Sequence, residues 1–563
     1  MKHLGFFQFD GRILSHNTDA FRLHSILKKS FAVIVILFFL SATFSQTFAA
    51  IPSESPKKVI VIGAGIAGLA AANELKSHNY DVIILEARDR IGGRVVTDHS
   101  WNGTALDMGA SWISGTIGNP TTELAAKYNA GHIPTDYFNS IVVYDENGTK
   151  ISKSKLDEIN GTYEQFLNYT NNMRANKTND AALELAVNNF INQTNLSGEA
   201  KKEFYYKISW EIENDYAADA SDLSLLNYDA VGYLLPGTQD VFPEGYDQIA
   251  NGLAKDFGLD KILTRQYVKE VDYNAQGVTV VTNQTTFHGD YVISTLPLGV
   301  LKHGDVKFSP DLSQDKKDAI THLGMGVFDK AYFIFPKVFW YKNNDTEKDW
   351  INYIPNERGH WITFLNIYHI DKEYENKTVP ILLGLNVGKY AEQLENKTDQ
   401  QIGEEGMKAL RTIYGSDIPD PVKVIPTRWG QDPFERGSYS YTAINGSNAD
   451  YDAMALPLND TSGKLRVFFA GEATTWHYPG LVNGAYITGI REANRLWTSD
   501  TGTYDSPLKQ AENRHWGMFP EYVMCRPGLE LVAKATDNSP ACVLANHINH
   551  LVSIGWAKDP TLP

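Results

Sequence analysis

Only two cysteines occur in the 563 residues, Cys525 and Cys542, both near the C-terminus. A cysteine-based metal site is therefore excluded, and one disulfide is the most the chain can form, in an oxidising compartment. Long runs of lysine and arginine are absent and the formal charge is −16, so the local basic patch that nucleic-acid binding needs is missing. Such a negative field concentrates small cations near the surface. There is no internal repeat and no collagen-like or disordered bias. No apolar run reaches the roughly 18–20 residues that cross a bilayer. One shorter run, Phe31 to Leu40, follows Lys28 and Lys29 and leads to small residues ending at Ala49 and Ala50. That order matches the charged, apolar and cleavage regions of a secretory leader. Residues 1–50 are expected to be a signal peptide, or an N-terminal membrane anchor if retained. The mature protein is then secreted, periplasmic or otherwise exported, with no stable membrane span. About a dozen Asn-x-Ser/Thr sequons, Asn102, Asn147, Asn160, Asn168, Asn176 and Asn192 among them, suit either a glycosylated secreted protein or an Asn- and Thr-rich proteome.

What is present begins at residue 57. A β-branched run over 57–62 reads as a buried parallel strand. Gly63-Ala64-Gly65-Ile66-Ala67-Gly68 follows, then an alanine-rich helix, then a second strand ending at Glu86. In this βαβ unit Gly63 permits the tight turn, Gly65 lets a pyrophosphate approach the backbone, and Gly68 lets helix and strand pack closely. The helix start, at Ile66 and Ala67, offers free N–H groups to phosphate. Glu86 accepts hydrogen bonds from ribose hydroxyls. Strand, turn, helix and acid in this order define a dinucleotide site but leave NAD and FAD both open. Ala87 and Arg88 lead from Glu86 to Gly92-Gly93-Arg94, which can meet a cofactor extending past the pyrophosphate.

Further along, residues 121–240 have helical spacing. Strand signals return at 279–281 and 291–294, alternate over 327–341, and recur at 361–365 and 465–470. A helix is expected from about Gly484 to Trp497, while 501–563 has no clear period. The expected fold class is α/β, α+β overall. A Rossmann-like nucleotide domain is assembled from discontinuous segments (57–120, 241–301 and 429–500). A substrate-binding domain of mixed sheet plus helices (121–240 and 302–428) is inserted between them, and 501–563 is a C-terminal extension.

Several segments together resemble the flavin-containing amine oxidase family, with the polyamine oxidase branch nearest. These are the glycine turn, Glu86, Gly92-Gly93-Arg94, Asp107-Met108-Gly109-Ala110-Ser111-Trp112, the 294–301 segment, Phe469-Ala470-Gly471-Glu472 and Gly484-Ala485-Tyr486-Ile487-Thr488-Gly489. The resemblance spans roughly 57–500. It implies FAD, bound by Gly63, Gly65, Ile66, Ala67, Gly68, Glu86, Ala87, Arg88, Gly93, Arg94, Gly109, Ala110, Ser111, Trp112, Val268, Glu472, Leu481 and Val482. Arg94 is placed at the pyrophosphate region, Val268 near the adenine, Glu472 at the ribityl chain, and Leu481 and Val482 at the flavin's polar edge.

The same resemblance assigns two catalytic positions. Lys330 shares one strand face with Phe328 and Tyr332, and a lysine on an interior face is costly unless paired or functional. In the family its counterpart holds a water against flavin N5. Tyr439 resembles one wall of an aromatic cage that orients a cationic amine. Leu481 stands where several relatives place the second aromatic wall, so the cage is half-open. Ser438 stands where some relatives have a flavin-linking cysteine, so FAD is expected to be non-covalent. Ser114 replaces an acid or histidine common in polyamine oxidases, and Asp215 matches an acidic position able to hold a distal ammonium. The implied activity is oxidation of a small-molecule amine. A hydride passes from the α-carbon to flavin N5, giving an imine and then an aldehyde, and O2 is reduced to hydrogen peroxide. The alternatives are an L-amino acid oxidase, disfavoured by the lack of an arginine near Ser111-Trp112, a monoamine oxidase, and a non-catalytic flavin-bearing binding module. No metal site is expected.

Overall fold

Six strands that are scattered through the sequence lie side by side in a computed structural model of the protein. The described residues are 55–504, apart from 176, 231, 233 and 376–378, and 523–558, apart from 524, 527, 537 and 538. The expected leader and the Asn176 sequon lie outside them. The sheet order is Leu458–Asn459, Leu465–Phe469, Tyr291–Ser294, Lys58–Ile62, Asp81–Leu85 and Ile262–Leu263. Pairing is parallel except at the Leu458–Asn459 edge. Val59, Ile60, Val61 and Ile62 are all buried, because a central parallel strand is covered on both faces. Two helices on one face, Ile66–Ser77 and Val482–Thr501, touch at Gly489, where a Cβ would fall 2.2 Å from the Ala67 carbonyl oxygen. That contact joins segments more than 400 residues apart in the chain.

The second large sheet is mixed, in the order Lys423–Pro426, Phe328–Ile334, Ile381–Val387, Thr363–Asn366, Trp350–Tyr353 and Ile141–Tyr144. Both of its faces are buried. Phe333, Phe364 and Leu382 join a core with Met407 and Leu410 of the Asp399–Tyr414 helix, which a Thr398–Gln401 capping box starts. Tyr332, Leu365 and Leu383 join a core with Tyr206 and Trp210 from the helical region. There the Lys153–Ala175, Leu183–Thr194 and Gly198–Ile208 helices share a core around Phe166, Phe190 and Phe204. Among the described residues no helix is long and apolar enough to cross a membrane.

Several expectations need correction. The strand expected over 327–341 ends at Ile334, because Pro336 lacks an N–H and Phe339 and Trp340 turn back into the core. Trp361 has φ +49° and belongs to a turn, so the neighbouring strand starts at Thr363. The helical reading of 121–240 misses three strands, Ile133–Thr135, Ile141–Tyr144 and Gln239–Val241. The β-branched Ile141-Val142-Val143 run was masked by its polar surroundings. The late helix is longer than expected, Val482–Thr501. The C-terminal extension, without a clear period in sequence, forms a hairpin of Leu529–Ala533 with Pro540–Leu544.

Cys542 in this hairpin and Cys525, shortly before it, form a disulfide with a sequence separation of 17 and Cα atoms 5.5 Å apart. In the chain-entropy model such a loop adds about 3 kcal/mol. Cys542→Ser is expected to destabilise the hairpin by about that amount while leaving the nucleotide domain intact. Hydrogen exchange would show protection lost over 525–558 and kept in the Lys58–Ile62 strand.

Candidate active site

The glycine turn shows which glycines serve the chain and which leave room for something else. Gly63 has φ +101°, and a Cβ there would sit 2.5 Å from Thr295 Oγ1. At Gly68 a Cβ would sit 2.0 Å from the Gly63 carbonyl oxygen. Gly65 is different: its φ is −75°, open to any residue, and a Cβ would meet nothing nearer than 4.0 Å. Neither local conformation nor packing requires glycine at 65. A ligand lying against the backbone would. The helix that starts there has no side-chain cap and no acid in its first turn, and the helix starting after Leu481 is the same. Gly471 has φ +127° with no atom within 4 Å of an added Cβ. These features fit a dinucleotide.

Glu86 closes the adenosine end. It is buried, and its two oxygens accept from the Ala64 and Arg88 N–H groups, each at 2.8 Å. Burial raises its pKa against those bonds. Each oxygen keeps acceptor capacity for a hydroxyl. The Arg88 and Glu86 carbonyls take N–H bonds from Arg265 and Gln266, each at 2.8 Å, so the segment leading to Val268 runs alongside. Val268 itself is buried beside Leu85 and Ile62.

Arg94 and Glu472, far apart in sequence, meet directly. Arg94 Nη1 donates to Glu472 Oε1 and to the Ser438 carbonyl, both at 2.8 Å, while its Nε lies 3.2 Å from Glu435 Oε2. Glu472 Oε2 accepts from Ser440 Oγ at 2.6 Å and from Gly480 N at 2.8 Å. Sequence reasoning missed Glu435. It lies between Arg88 and Arg94, and burial raises its pKa while both arginines lower it. In Pro433-Phe434-Glu435-Arg436 it reads as an ordinary polar turn residue.

Lys330 is almost fully enclosed, at 4 % exposure. Its Nζ donates to the carbonyls of Asp107 and Gly109, both at 2.6 Å, and to Ser111 Oγ. Tyr332 Oη donates to the same Asp107 carbonyl at 2.9 Å, as same-face residues should. Burial pushes the ammonium pKa down, opposed by the Asp107 carboxylate, and burial pushes Asp107 up. Lys330 Nζ also lies 5.8 Å from the Trp112 ring centre. The 107–111 loop, with Gly109, Ala110, Ser111 and Trp112, is thus gathered around one ammonium.

Tyr439 faces the Phe328 ring at 6.2 Å, packs against the bare face of Gly480, and donates to the Asn214 carbonyl at 3.2 Å. Leu481 and Val482 follow at once. Asn214 precedes Asp215, whose side chain water can reach although protein surrounds it. Burial and then Glu211 push Asp215 up to about 7. Both acids sit at a backbone irregularity, a π-helical turn Ser209–Glu213 followed by Ala217 at φ +53°. Tyr137 stacks on Trp210 of that turn at 4.4 Å, with Trp350 and Trp112 beyond. None of Glu211, Tyr137 or Trp210 was singled out from sequence: the π-turn that carries Trp210 and Glu211 leaves no periodic signal, and Tyr137 lies in a turn after the Ile133–Thr135 strand. Ser114 is held in its own strand opposite Gln239 and takes Asn119 Nδ2 on its carbonyl, apart from the Lys330 and Tyr439 clusters in its bonding.

With this arrangement in place, comparison with known proteins gives the class. A family model described as flavin containing amine oxidoreductase matches residues 66–497. The chain belongs to that family. "Lysine-specific histone demethylase 1 homolog 3" of Oryza sativa subsp. japonica is 35% identical over 79% of this chain and 55% of its own length. "Polyamine oxidase 4" of the same rice is 34% identical over 78% of this chain and 88% of its own length. "Polyamine oxidase 2" of Arabidopsis thaliana is 32% identical with the same coverages. The chain thus spans about half the length of the demethylase homologue (55%). Cyclohexylamine oxidase from Brevibacterium oxydans shares the fold, with TM-score 0.63, 19% identity and coverage of 78% of this chain and 99% of that one.

Proposed function

We propose that this chain is an FAD-dependent oxidase of polyamine-type amines, holding FAD without a covalent bond and acting in an exported compartment. The observation that carries the reading is Lys330, enclosed and bonded to three acceptors of the 107–111 loop beside Trp112. Bound FAD would supply the redox chemistry, accepting a hydride from the amine α-carbon and passing electrons to O2, with aldehyde and hydrogen peroxide as products.

The chain's own residues bind, orient and exclude water. Glu86, the turn from Gly63 to Gly68, Arg94 and Glu472 hold the dinucleotide, and the 107–111 loop with Val482 supports its reactive end. Lys330, with its pKa lowered by burial, keeps its Nζ hydrogens on the 107–111 loop while charged and, as the neutral amine at alkaline pH, offers a lone pair to a water. Tyr439 presents a ring face to the reacting amine. Ser438 Oγ accepts from Phe328 N at 2.8 Å, so this hydroxyl serves the backbone, and serine forms no thioether. Asp215 and Glu211, behind the aromatic group, suit a second cationic centre on the substrate. The leader-like N-terminus and the C-terminal disulfide support export.

A peroxide-coupled screen with spermine, spermidine, putrescine, tyramine, L-amino acids and a methylated-lysine peptide tests this reading. Polyamines are expected to lead. Failure of FAD-loaded protein to turn over any amine would sink the enzyme assignment, and a lead for another arm would move the substrate class. Asp215→Asn is expected to raise KM for a diamine about 10- to 100-fold, the worth of one charge-assisted hydrogen bond, with little change for a monoamine. Because enclosure by protein and the Glu211 charge push the Asp215 carboxyl up, the diamine KM of the wild type should fall as rising pH ionises it. The asparagine variant should lack this dependence. Equal losses on mono- and diamines would argue against a distal-cation role.

A further inference from the structure

On the strand that carries Lys330, the neighbouring Asp329 meets a second buried acid, Glu395, at the end of the Gly388–Glu395 helix. Asp329 and Glu395 are 5 % and 6 % exposed, and their carboxyl groups lie within hydrogen-bonding reach of each other. Asp329 Oδ1 accepts from Thr427 Oγ1 at 2.7 Å and from Trp429 N at 3.1 Å. Glu395 Oε1 accepts from Gly430 N. A Cβ on Gly430 would sit 2.9 Å from Glu395 Oε2, so glycine lets the carboxyl close on the turn. Asp329 Oδ2 is buried and receives no hydrogen from any N–H or hydroxyl group. It gains a donor when Glu395 carries a proton, and two charged carboxylates in contact away from water repel.

The pair grips the turn from both sides, and the turn leads back to the candidate site. Thr427 Oγ1 accepts from Lys330 N at 2.9 Å, and Thr427 N donates to the Lys330 carbonyl at 2.9 Å. Trp429 Nε1 donates to the Met108 carbonyl at 3.0 Å, between the two carbonyls that hold Lys330 Nζ. The Trp429 carbonyl takes Gly437 N at 2.9 Å, just before Tyr439.

We propose that Asp329 and Glu395 share one proton, and that this proton keeps the 427–430 turn, and through Trp429 the 107–111 loop, in working position. They are positioning residues. Losing the proton leaves both acids charged, loosens the turn and withdraws the indole from Met108.

Other charges around the pair do not replace the proton. Arg428 favours the ionised form of Asp329, but its guanidinium is engaged by the Glu395 and Lys397 carbonyls and by Asp399. Lys330 directs its Nζ to the opposite face of the strand, and Asn386, across the strand pair from Asp329, is uncharged. Burial pushes both carboxyls up, and Asp329 pushes Glu395 up further, while the bond to Glu395 favours the ionised Asp329, so the shared proton rests on Glu395. A carboxyl raised in the folded state stabilises fully at low pH and loses that contribution as pH rises through its folded value, so the clamp fails on the alkaline side.

The functional consequence rests on the amine oxidase reading, but the proton is testable without it. Infrared spectra of the full chain across a pH titration should show a protonated-carboxyl C=O band that disappears above neutrality. Tryptophan fluorescence should change in parallel. Asp329→Asn supplies an amide donor in place of the proton, and Glu395→Gln does so from the other side. Each is expected to lower the band by the pair's one proton and to move the fluorescence transition up by about one pH unit or more. At neutral pH each should retain near-wild-type amine turnover, while Asp329→Ala, which supplies no donor, should lose it. A band of undiminished intensity, or an unshifted transition, in both amide variants would overturn the proposal. If no amine is turned over, the band and the fluorescence still decide whether the proton is there.

Discussion

Lys330→Met is expected to slow flavin reduction and reoxidation by about 100-fold or more, the usual worth of a group that holds or moves a proton at the reacting centre. Methionine matches the length of the lysine stem and fits the slot between Tyr332 and the 107–111 loop. It donates nothing to the Asp107 and Gly109 carbonyls or to Ser111 Oγ. Tyr332 Oη still reaches the Asp107 carbonyl, so the loop keeps one anchor. The Asp107 carboxyl also loses its nearby cation and shifts further up. Stopped-flow absorbance would follow both half-reactions directly. Near-normal rates in both would remove Lys330 from the chemistry and leave it a structural role.

A pair of glycine variants should separate cofactor binding from folding. Gly68→Val places a Cβ 2.0 Å from the Gly63 carbonyl oxygen, and neither backbone segment can give way. Destabilisation of about 3 kcal/mol or more is expected, seen as a lower Tm of the cofactor-free protein. Gly65→Val adds its side chain to open space at an ordinary φ of −75°. The cofactor-free Tm should hardly change, yet flavin affinity should fall by about 10- to 100-fold. Titration of the apoprotein with FAD, read by flavin fluorescence quenching, measures this. Wild-type affinity in Gly65→Val would mean that the cofactor does not lie against that glycine.

The contrast between these two glycines shows what was legible in sequence and what was not. The turn, its strand and helix, and Glu86 are local in chain, so their spacing exposes them. Lys330 was legible for a less secure reason. Alternation put Lys330 with Tyr332, and their shared bond to the Asp107 carbonyl agrees. Yet the strand is buried on both faces, and Asp329, which alternation places on the opposite face, proves as enclosed as Lys330. Glu435 and Glu395 were invisible because their meaning lies in partners brought from elsewhere: Arg88 and Arg94 for the first, Asp329 and the Gly430 turn for the second. The wall of Tyr137, Trp210 and Glu211 was hidden differently. It rests on a π-helical turn, whose register shift breaks the very periodicity by which a helix is read.

The interleaved strand order of the nucleotide sheet has a consequence for how the protein comes into being. Lys58–Ile62 leaves the ribosome early, but one of its neighbours, Tyr291–Ser294, comes much later, and Leu465–Phe469 later still. Contacts this distant in sequence make for slow folding, with the early strand edge unpaired through most of synthesis. The last wall of the cofactor site, Glu472 and the Val482–Thr501 helix, closes only when the chain is nearly complete. Arg94 has no acid at Glu472 to meet before then, and the Ile66–Ser77 helix has nothing to press against at Gly489. A chain cut short in its final hundred residues would keep the motif that announces a dinucleotide and lose the means to hold one.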